Sequence, residues 1–195
     1  MEINLNEHPI NLFSSWFEEA KKSEINDPQA MSFSSVSEDG YPSIRMVLLQ
    51  KFDKRGFVFF TNYNSRKAKE IEINAKGAVC FHWKSIRKQV QAIGRIEKVS
   101  DNESDEYYFS RPLGSQIGAW ASRQSEHLES REKLMKKVQK YEKKFIDKPP
   151  RPPFWGGFRL VPQEMEFWSD GKFRLHNRFN FKRVEEEWEI NRLYP

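Results

Sequence analysis

Arg174, His176 and Arg178 stand at alternate positions in the run Arg174-Leu175-His176-Asn177-Arg178. In an extended chain alternate side chains share a face, so two guanidiniums and an imidazole would form one wall. Such a wall suits a planar, anionic, proton-exchanging ligand: arginine offers a rigid fork of donors to phosphate or a ring oxygen, and histidine titrates near neutrality. An exposed strand with solvated charges shows the same alternation.

Three other constellations could hold anions. Arg45 heads the apolar run Met46-Val47-Leu48-Leu49, where a cation either faces an anion at a barrel mouth or closes a structural salt bridge. Ser65-Arg66-Lys67 follows Thr61-Asn62 where a strand gives way to a helix. Free amides at a helix N-terminus, with the two cations, could hold a phosphate; an N-cap serine with a solvated pair behind it reads equally well. Tyr107 and Arg111, four apart, share a helix face, and Ser115 lies just past Pro112. Their donors could surround another phosphate, or Tyr107 packs and Arg111 ends the helix. Cys80 and His82 share a strand face without the complementary pair of a zinc site. With no dinucleotide fingerprint, P-loop or G-x-S-x-G elbow, catalysis through a bound organic cofactor is the enzymatic route left.

The elements that must position these residues are mostly short strands. Ile10, Leu12, Phe13, Trp16, Phe17 and Ala20 recur at helical spacing, predicting an amphipathic first helix stopped by Asp27-Pro28. Strands are expected over 32–36, 44–50 and 57–60, joined by turns at Asp39-Gly40 and 53–56. A short helix at 65–74 and strands at 78–83 and 89–99 follow. Ser100 and Glu103 have capping-box spacing for a helix to about Ser110, which Arg111-Pro112 ends. A charged helix is expected over 126–144. Residues 148–153, with four prolines, read as a stiff internal linker. Strands at 157–161, 165–168, 173–181 and 188–193 close the chain. The pattern predicts a mainly antiparallel β fold, a barrel of six to eight strands with packed helices whose rim can hold one flat ligand.

The chain of 195 residues is long enough for one core, and the residues after the linker are too few for a second. One domain over 1–195, with a flexible N-terminus at 1–9, is the simplest organisation. Cys80 is the single cysteine, which excludes an intramolecular disulfide framework and fits a reducing, cytoplasmic setting. No leader pattern or window of membrane-spanning length occurs, so a soluble, untargeted protein is expected. The net charge of +5 arises from 33 basic against 28 acidic residues, too small and dispersed an excess for nucleic-acid binding. Local positive pockets for a small phosphorylated ligand fit it better.

Together, Arg45-Met46-Val47-Leu48-Leu49, Thr61-Asn62 with Ser65-Arg66-Lys67, Ser110-Arg111-Pro112, Ser115-Gln116-Ile117-Gly118-Ala119-Trp120, Phe154-Trp155-Gly156-Gly157-Phe158-Arg159, Glu166-Phe167-Trp168, Arg174-Leu175-His176 and Arg192-Leu193-Tyr194-Pro195 resemble the pyridoxamine 5'-phosphate oxidase family, in order, from about Leu12 to Pro195. The resemblance implies an FMN-binding split β-barrel and a homodimer with two flavin sites at the subunit interface. It implies oxidation of pyridoxine or pyridoxamine 5'-phosphate to pyridoxal 5'-phosphate, with dioxygen as acceptor and hydrogen peroxide as product. FMN would be held by Arg45, Met46, Val47, Leu48, Thr61 and Arg66, together with Lys67, Gln89, Gln124, Ser125, Trp168 and Arg178. Tyr107, Arg111 and Ser115 would take the substrate phosphate, with Gln50 beside them, and Arg174 and His176 would lie over the pyridine ring as catalytic residues. Three positions depart from the family pattern. Gln50 replaces a usual lysine, predicting weaker phosphate binding unless Lys51 compensates; Asn177 replaces a usual aspartate; and the short N-terminal extension removes part of a lid. A split-barrel flavoprotein with another substrate, or a non-catalytic module binding FMN or pyridoxal phosphate, would share these features.

Overall fold

A computed structural model describes residues 7–195. Most of the segment expected to be flexible, residues 1–6 of 1–9, lies outside the described residues; His8 and Pro9 begin the first helix. In α1 (Pro9–Ser23) the His8 Nδ1 accepts the Ile10 N–H at 3.2 Å, and proline occupies the first turn, where its missing donor costs nothing. Ile10, Phe13, Trp16, Phe17 and Ala20 face the core. The Phe13 ring meets those of Phe57, Phe52 and Phe81 at centroid distances of 4.8, 4.9 and 5.0 Å. The helix ends before the expected Asp27-Pro28 stop because Glu24 is already extended, its carboxylate accepting the Ser85 N–H at 2.8 Å.

The strands are β1 (Ala30–Val36), β2 (Pro42–Leu48), β3 (Lys51–Asp53), β4 (Gly56–Asn62), β5 (Lys76–Trp83), β6 (Lys88–Lys98), β7 (Trp155–Ser169), β8 (Asn177–Val184) and β9 (Glu187–Leu193). All pair antiparallel in the order β2-β1-β5-β6-β7-β4-β3, with β8 added to β7 and β9 to β8, and the sheet curls into a half-barrel. The helices α2 (Arg66–Ile73), α3 (Asp101–Ser110), α4 (Leu113–Ala121) and α5 (Arg131–Lys144) fill the connections. Among the described residues no helix is long and apolar enough to cross a membrane.

Three expectations need correction. The two strands at 157–161 and 165–168 are one strand, β7. Pro162 is accommodated where β7 bulges, Gln163 being the extra residue between the Ile93–Glu164 and Gly94–Pro162 pairs, and a Cβ on Gly94 would lie 2.0 Å from the Val161 carbonyl oxygen. The expected strand over 173–181 starts only at Asn177. Lys172–Arg174 is a 3-10 turn with Phe173 and Arg174 in left-handed backbone (φ 58° and 64°), closed by the Leu175 N–H on the Lys172 carbonyl at 3.1 Å. Arg174, His176 and Arg178 therefore do not form one strand face. The charged helix begins at Arg131 because Ser130 caps it, its hydroxyl accepting the Lys133 N–H at 3.2 Å. Residues 148–153 connect α5 to β7 and are tied down along their length. Trp120 Nε1 donates to the Pro150 carbonyl at 2.8 Å, and Arg151 binds Asp105, Asp101 and the Trp155 carbonyl at 2.5, 2.7 and 2.8 Å.

The serine half of the capping box forms at α3, with Ser100 Oγ accepting the Glu103 N–H at 3.1 Å, while the Glu103 carboxylate turns to Arg159 at 2.7 Å. Ser100→Ala is expected to cost about 1 kcal/mol, read as a fall in melting midpoint of about 2–4 °C. An unchanged midpoint would show that water satisfies that amide as well as the hydroxyl does.

Candidate active site

A cavity of about 700 Å³ opens where β2, the end of β4, the start of α2 and the α3–α4 junction meet. The extended backbone of β2 brings Arg45, Met46, Val47 and Leu48 to its wall, with Gln50 just beyond. Thr61 and Asn62 end β4 there, and Lys67 reaches in from the first turn of α2. Gln124 and Ser125, in the loop after α4, complete this side.

These groups are interlocked. Thr61 Oγ1 donates to Gln124 Oε1 at 3.0 Å and accepts from Lys67 Nζ at 3.1 Å; the Asn62 N–H also donates to Gln124 Oε1, at 3.3 Å. Ser65 precedes α2 in cap position but makes no cap hydrogen bond; its hydroxyl instead accepts from Lys67 Nζ at 3.3 Å. Burial, and then the nearby Arg45 charge, push the Lys67 ammonium down to about 8. Arg45 has both roles that its position allowed. It lines the cavity, and its guanidinium also reaches Glu70 at 3.2 Å and the Ser35 hydroxyl at 2.6 Å and bonds Ser43. Burial alone would raise the Glu70 carboxyl. Hydrogen bonds from Ser35, Ser43 and Arg66 and the Arg45 charge outweigh that and hold it at about 2. Arg66, bound to Glu70 at 2.8 Å, stands outside the cavity lining.

A second donor set occupies the α3–α4 junction, where Tyr107, Arg111 and Ser115 line the same cavity. Tyr107 stacks on Phe60 at 4.1 Å, and Phe60 is nearly parallel to Trp155 at 5.5 Å. The Arg111 guanidinium carbon lies 4.7 Å from the centre of the Trp155 ring. Arg111 is half-buried, its pKa lowered by desolvation, and its buried NH1 has no hydrogen-bond partner among the described residues. Lys51 does not line the main cavity. It lines an adjoining recess of about 250 Å³ with Gln50, Glu103 and Glu106.

The remaining predicted residues form a separate cluster on β6, β7 and β8. Gln89 pairs with Trp168, and Trp168 with Arg178. The His176 ring lies 4.7 Å from Trp168, with Nδ1 accepting the Gly171 N–H at 3.3 Å and 3.2 Å from Asp170. Arg178 grips Glu166 through two bonds of 2.7 and 2.9 Å, and Gln91 donates to the same carboxylate at 2.9 Å. Asn177 accepts from Arg192 at 2.7 Å. Arg174 is exposed on its left-handed turn. None of Gln89, Trp168, Arg174, His176 and Arg178 lines the cavity of its own chain.

Residues 17–145 match the family model described as pyridoxamine 5'-phosphate oxidase. The chain belongs to the pyridoxamine 5'-phosphate oxidase family. Its residues 155–195 match a second model, the pyridoxine 5'-phosphate oxidase C-terminal dimerisation region. Relatives from Brucella canis and Brucella suis, both named pyridoxine/pyridoxamine 5'-phosphate oxidase, are 55% identical over 190 residues, covering 96% of this chain and 94% of theirs. Membership makes the protein an oxidoreductase. The structure of PhzG from Burkholderia lata 383, in complex with tetrahydrophenazine-1-carboxylic acid, superposes with a TM-score of 0.94 at 29% identity, covering 98% of this chain and 95% of that one. A pyridoxamine 5'-phosphate oxidase-related, FMN-binding protein from Nostoc punctiforme shares the fold at TM-score 0.76 and 14% identity, covering 95% and 96%.

The donor chemistry fits a planar, phosphorylated cofactor such as FMN of this family. A buried ammonium contacts only hydroxyls, a second buried cation has an unused donor, and the volume lies within the roughly 300–1,000 Å³ of small-molecule sites. Sequence reasoning missed Glu70, although its i,i+4 spacing from Arg66 is a recognisable pair signal. It also gave Phe60 and Trp155 no part in the site, because no local pattern links residues so far apart.

Proposed function

We propose that the protein is an FMN-dependent oxidase converting pyridoxine 5'-phosphate or pyridoxamine 5'-phosphate to pyridoxal 5'-phosphate, with dioxygen as acceptor and hydrogen peroxide released. The observation that carries this reading is one cavity with two sets of cationic donors, Lys67 with Arg45 and, on other elements, Arg111 with Tyr107 and Ser115. Two phosphorylated molecules need two such sets. Bound FMN would supply a hydride acceptor for the substrate C4' carbon and pass the electrons to dioxygen. Lys67, Arg45, Arg66 and the hydroxyl of Thr61 would hold its phosphate, with Met46, Val47, Leu48, Gln124 and Ser125 along the rest of it. Arg111, Tyr107 and Ser115 would hold the substrate phosphate. This charge-assisted grip fixes the reacting carbon and lowers the barrier by proximity.

The separate cluster of Gln89, Trp168, Arg174, His176 and Arg178 would serve the cavity of a second copy. A homodimer with its flavin sites at the interface accounts for family site residues that lie off their own chain's cavity. Exposed Ile44, Met46 and Leu48 on β2 and Leu175 supply apolar surface for such contact. In this reading residues 1–195 act as one FMN-binding unit in the cytoplasm, where a lone cysteine suits a reducing compartment. A second reading, another substrate in the same fold, is favoured by one observation. Gln50 leaves Arg111 as the only cation of the predicted substrate-phosphate set, and a carboxylate needs less charge than a phosphate.

The test is anaerobic visible absorbance of the purified protein. The flavin band is expected to bleach on adding pyridoxine 5'-phosphate and to return when air is admitted. A band that persists with that substrate but bleaches with a carboxylate-bearing amine or alcohol would replace the first reading by the second.

A further inference from the structure

We propose that Trp155 is a positioning residue for substrate binding, holding the Arg111 guanidinium by its ring face so that its in-plane donors stay free for the incoming anion. The inference rests on the reading of Arg111 as the substrate-phosphate cation.

The site's arginines are held in two ways. Arg45 and Arg66 both contact the Glu70 carboxylate, and Arg178 is clamped by Glu166. Arg111 has no carboxylate within ion-pair distance among the described residues; its guanidinium instead faces the Trp155 ring at 4.7 Å. The physical consequence differs. A carboxylate fixes a guanidinium but neutralises it and occupies the fork that a phosphate would use. An aromatic face attracts the cation through its quadrupole and leaves the in-plane N–H donors free. Arg111 shows this outcome: it lines the cavity with no carboxylate on its fork among the described residues, and its NH1 is unbonded.

The ring itself is held on several sides. Phe60 and Tyr107 lie within 11° and 13° of its plane, and Tyr108 meets it edge-on at 5.4 Å. The Trp155 carbonyl accepts from Arg151 at 2.8 Å. From the other side the Arg111 carbonyl accepts Gln116 Nε2 at 2.7 Å, which fixes the backbone from which the side chain reaches. With Gln50 uncharged, the direction of this one guanidinium decides how well the phosphate is held.

The experiment is a double-mutant cycle on the FMN-loaded enzyme with pyridoxine 5'-phosphate, using Trp155→Leu, Arg111→Ala and the double variant. KM, kcat and, separately, the dissociation constant of FMN are measured. Trp155→Leu is expected to raise KM about five- to tenfold, with kcat and FMN affinity within about twofold. In the Arg111→Ala background the same change should move KM less than about twofold, because a residue acting through Arg111 has nothing left to position. An equal KM factor in both backgrounds, or a loss carried by kcat or FMN affinity, would mean that Trp155 only packs. If Arg111→Ala itself leaves KM unchanged, the underlying reading of Arg111 fails and the inference with it. Should Trp155→Leu not fold, uniform 5-fluorotryptophan weakens the ring face without changing its shape. It should raise KM in the Arg111 enzyme and not in the Arg111→Ala enzyme, and an equal shift in both overturns the proposal.

Discussion

Arg111→Ala is expected to raise KM for the phosphorylated substrate by about 30- to 3,000-fold while the protein still purifies yellow. Losing one member of a desolvated, hydrogen-bonded charge pair costs about 2–5 kcal/mol, and each 1.4 kcal/mol is tenfold. Arg111 stands near the upper part of that range for two reasons. Its desolvation is already present in the protein, so a phosphate meets a guanidinium that has already shed part of its water. Gln50 leaves no second cation in the predicted substrate-phosphate set to share the load. FMN should stay bound, because Lys67 and Arg45 are on other elements with their own network. Colourless protein would mean that Arg111 serves the cofactor instead.

Lys67→Met is expected to weaken FMN about 10- to 150-fold, the range for a charge-assisted hydrogen bond of about 1.5–3 kcal/mol. Methionine keeps most of the buried stem, so the fold should survive. The same residue gives a pH signature. Its pKa is lowered to about 8, so it is cationic below that and loses its charge as pH rises through it. A phosphate dianion prefers the charged form, so FMN affinity should fall above about pH 8 in the native protein and stay flat there in Lys67→Met. Flavin fluorescence quenching across pH 7–9.5 measures both. A parallel decline in the two proteins would assign the titration to another group.

The elements most legible in the sequence were those whose pattern is local. The β1–β2 hairpin with its Asp39-Gly40 turn and the Ser100 N-cap follow from spacing and are present; Tyr107 and Arg111 both reach the cavity, but Arg111 is the extended residue just past α3 and not part of its face. What failed depended on tertiary partners. Pro162 reads as a strand break until a bulge beside it, at Gln163 of β7, interrupts the ladder, and the helix α4 carries too little polar contrast to show a face. The run from Arg174 to Arg178 alternates like a strand, yet the chain turns there, because Gly171 and Leu175 approach so closely that a Cβ on Gly171 would lie 2.0 Å from the Leu175 oxygen. The residues of the family motifs fall into two groups, one lining the cavity and one on β6, β7 and β8, a division that alternation along a strand does not reveal.

The tied proline segment makes chain length a structural constraint in its own right. Surface connections ordinarily absorb insertions and deletions with little effect. Here Arg151 spans from Asp101 and Asp105 on α3 to the carbonyl of Trp155, four residues on, so that the stretch acts as a ruler between the helix carrying Tyr107 and the first residue of β7. One residue more or fewer would change the depth at which the indole sits beneath the guanidinium. Drift in this protein's descendants should therefore change which residues fill positions 148–153 far more readily than how many there are.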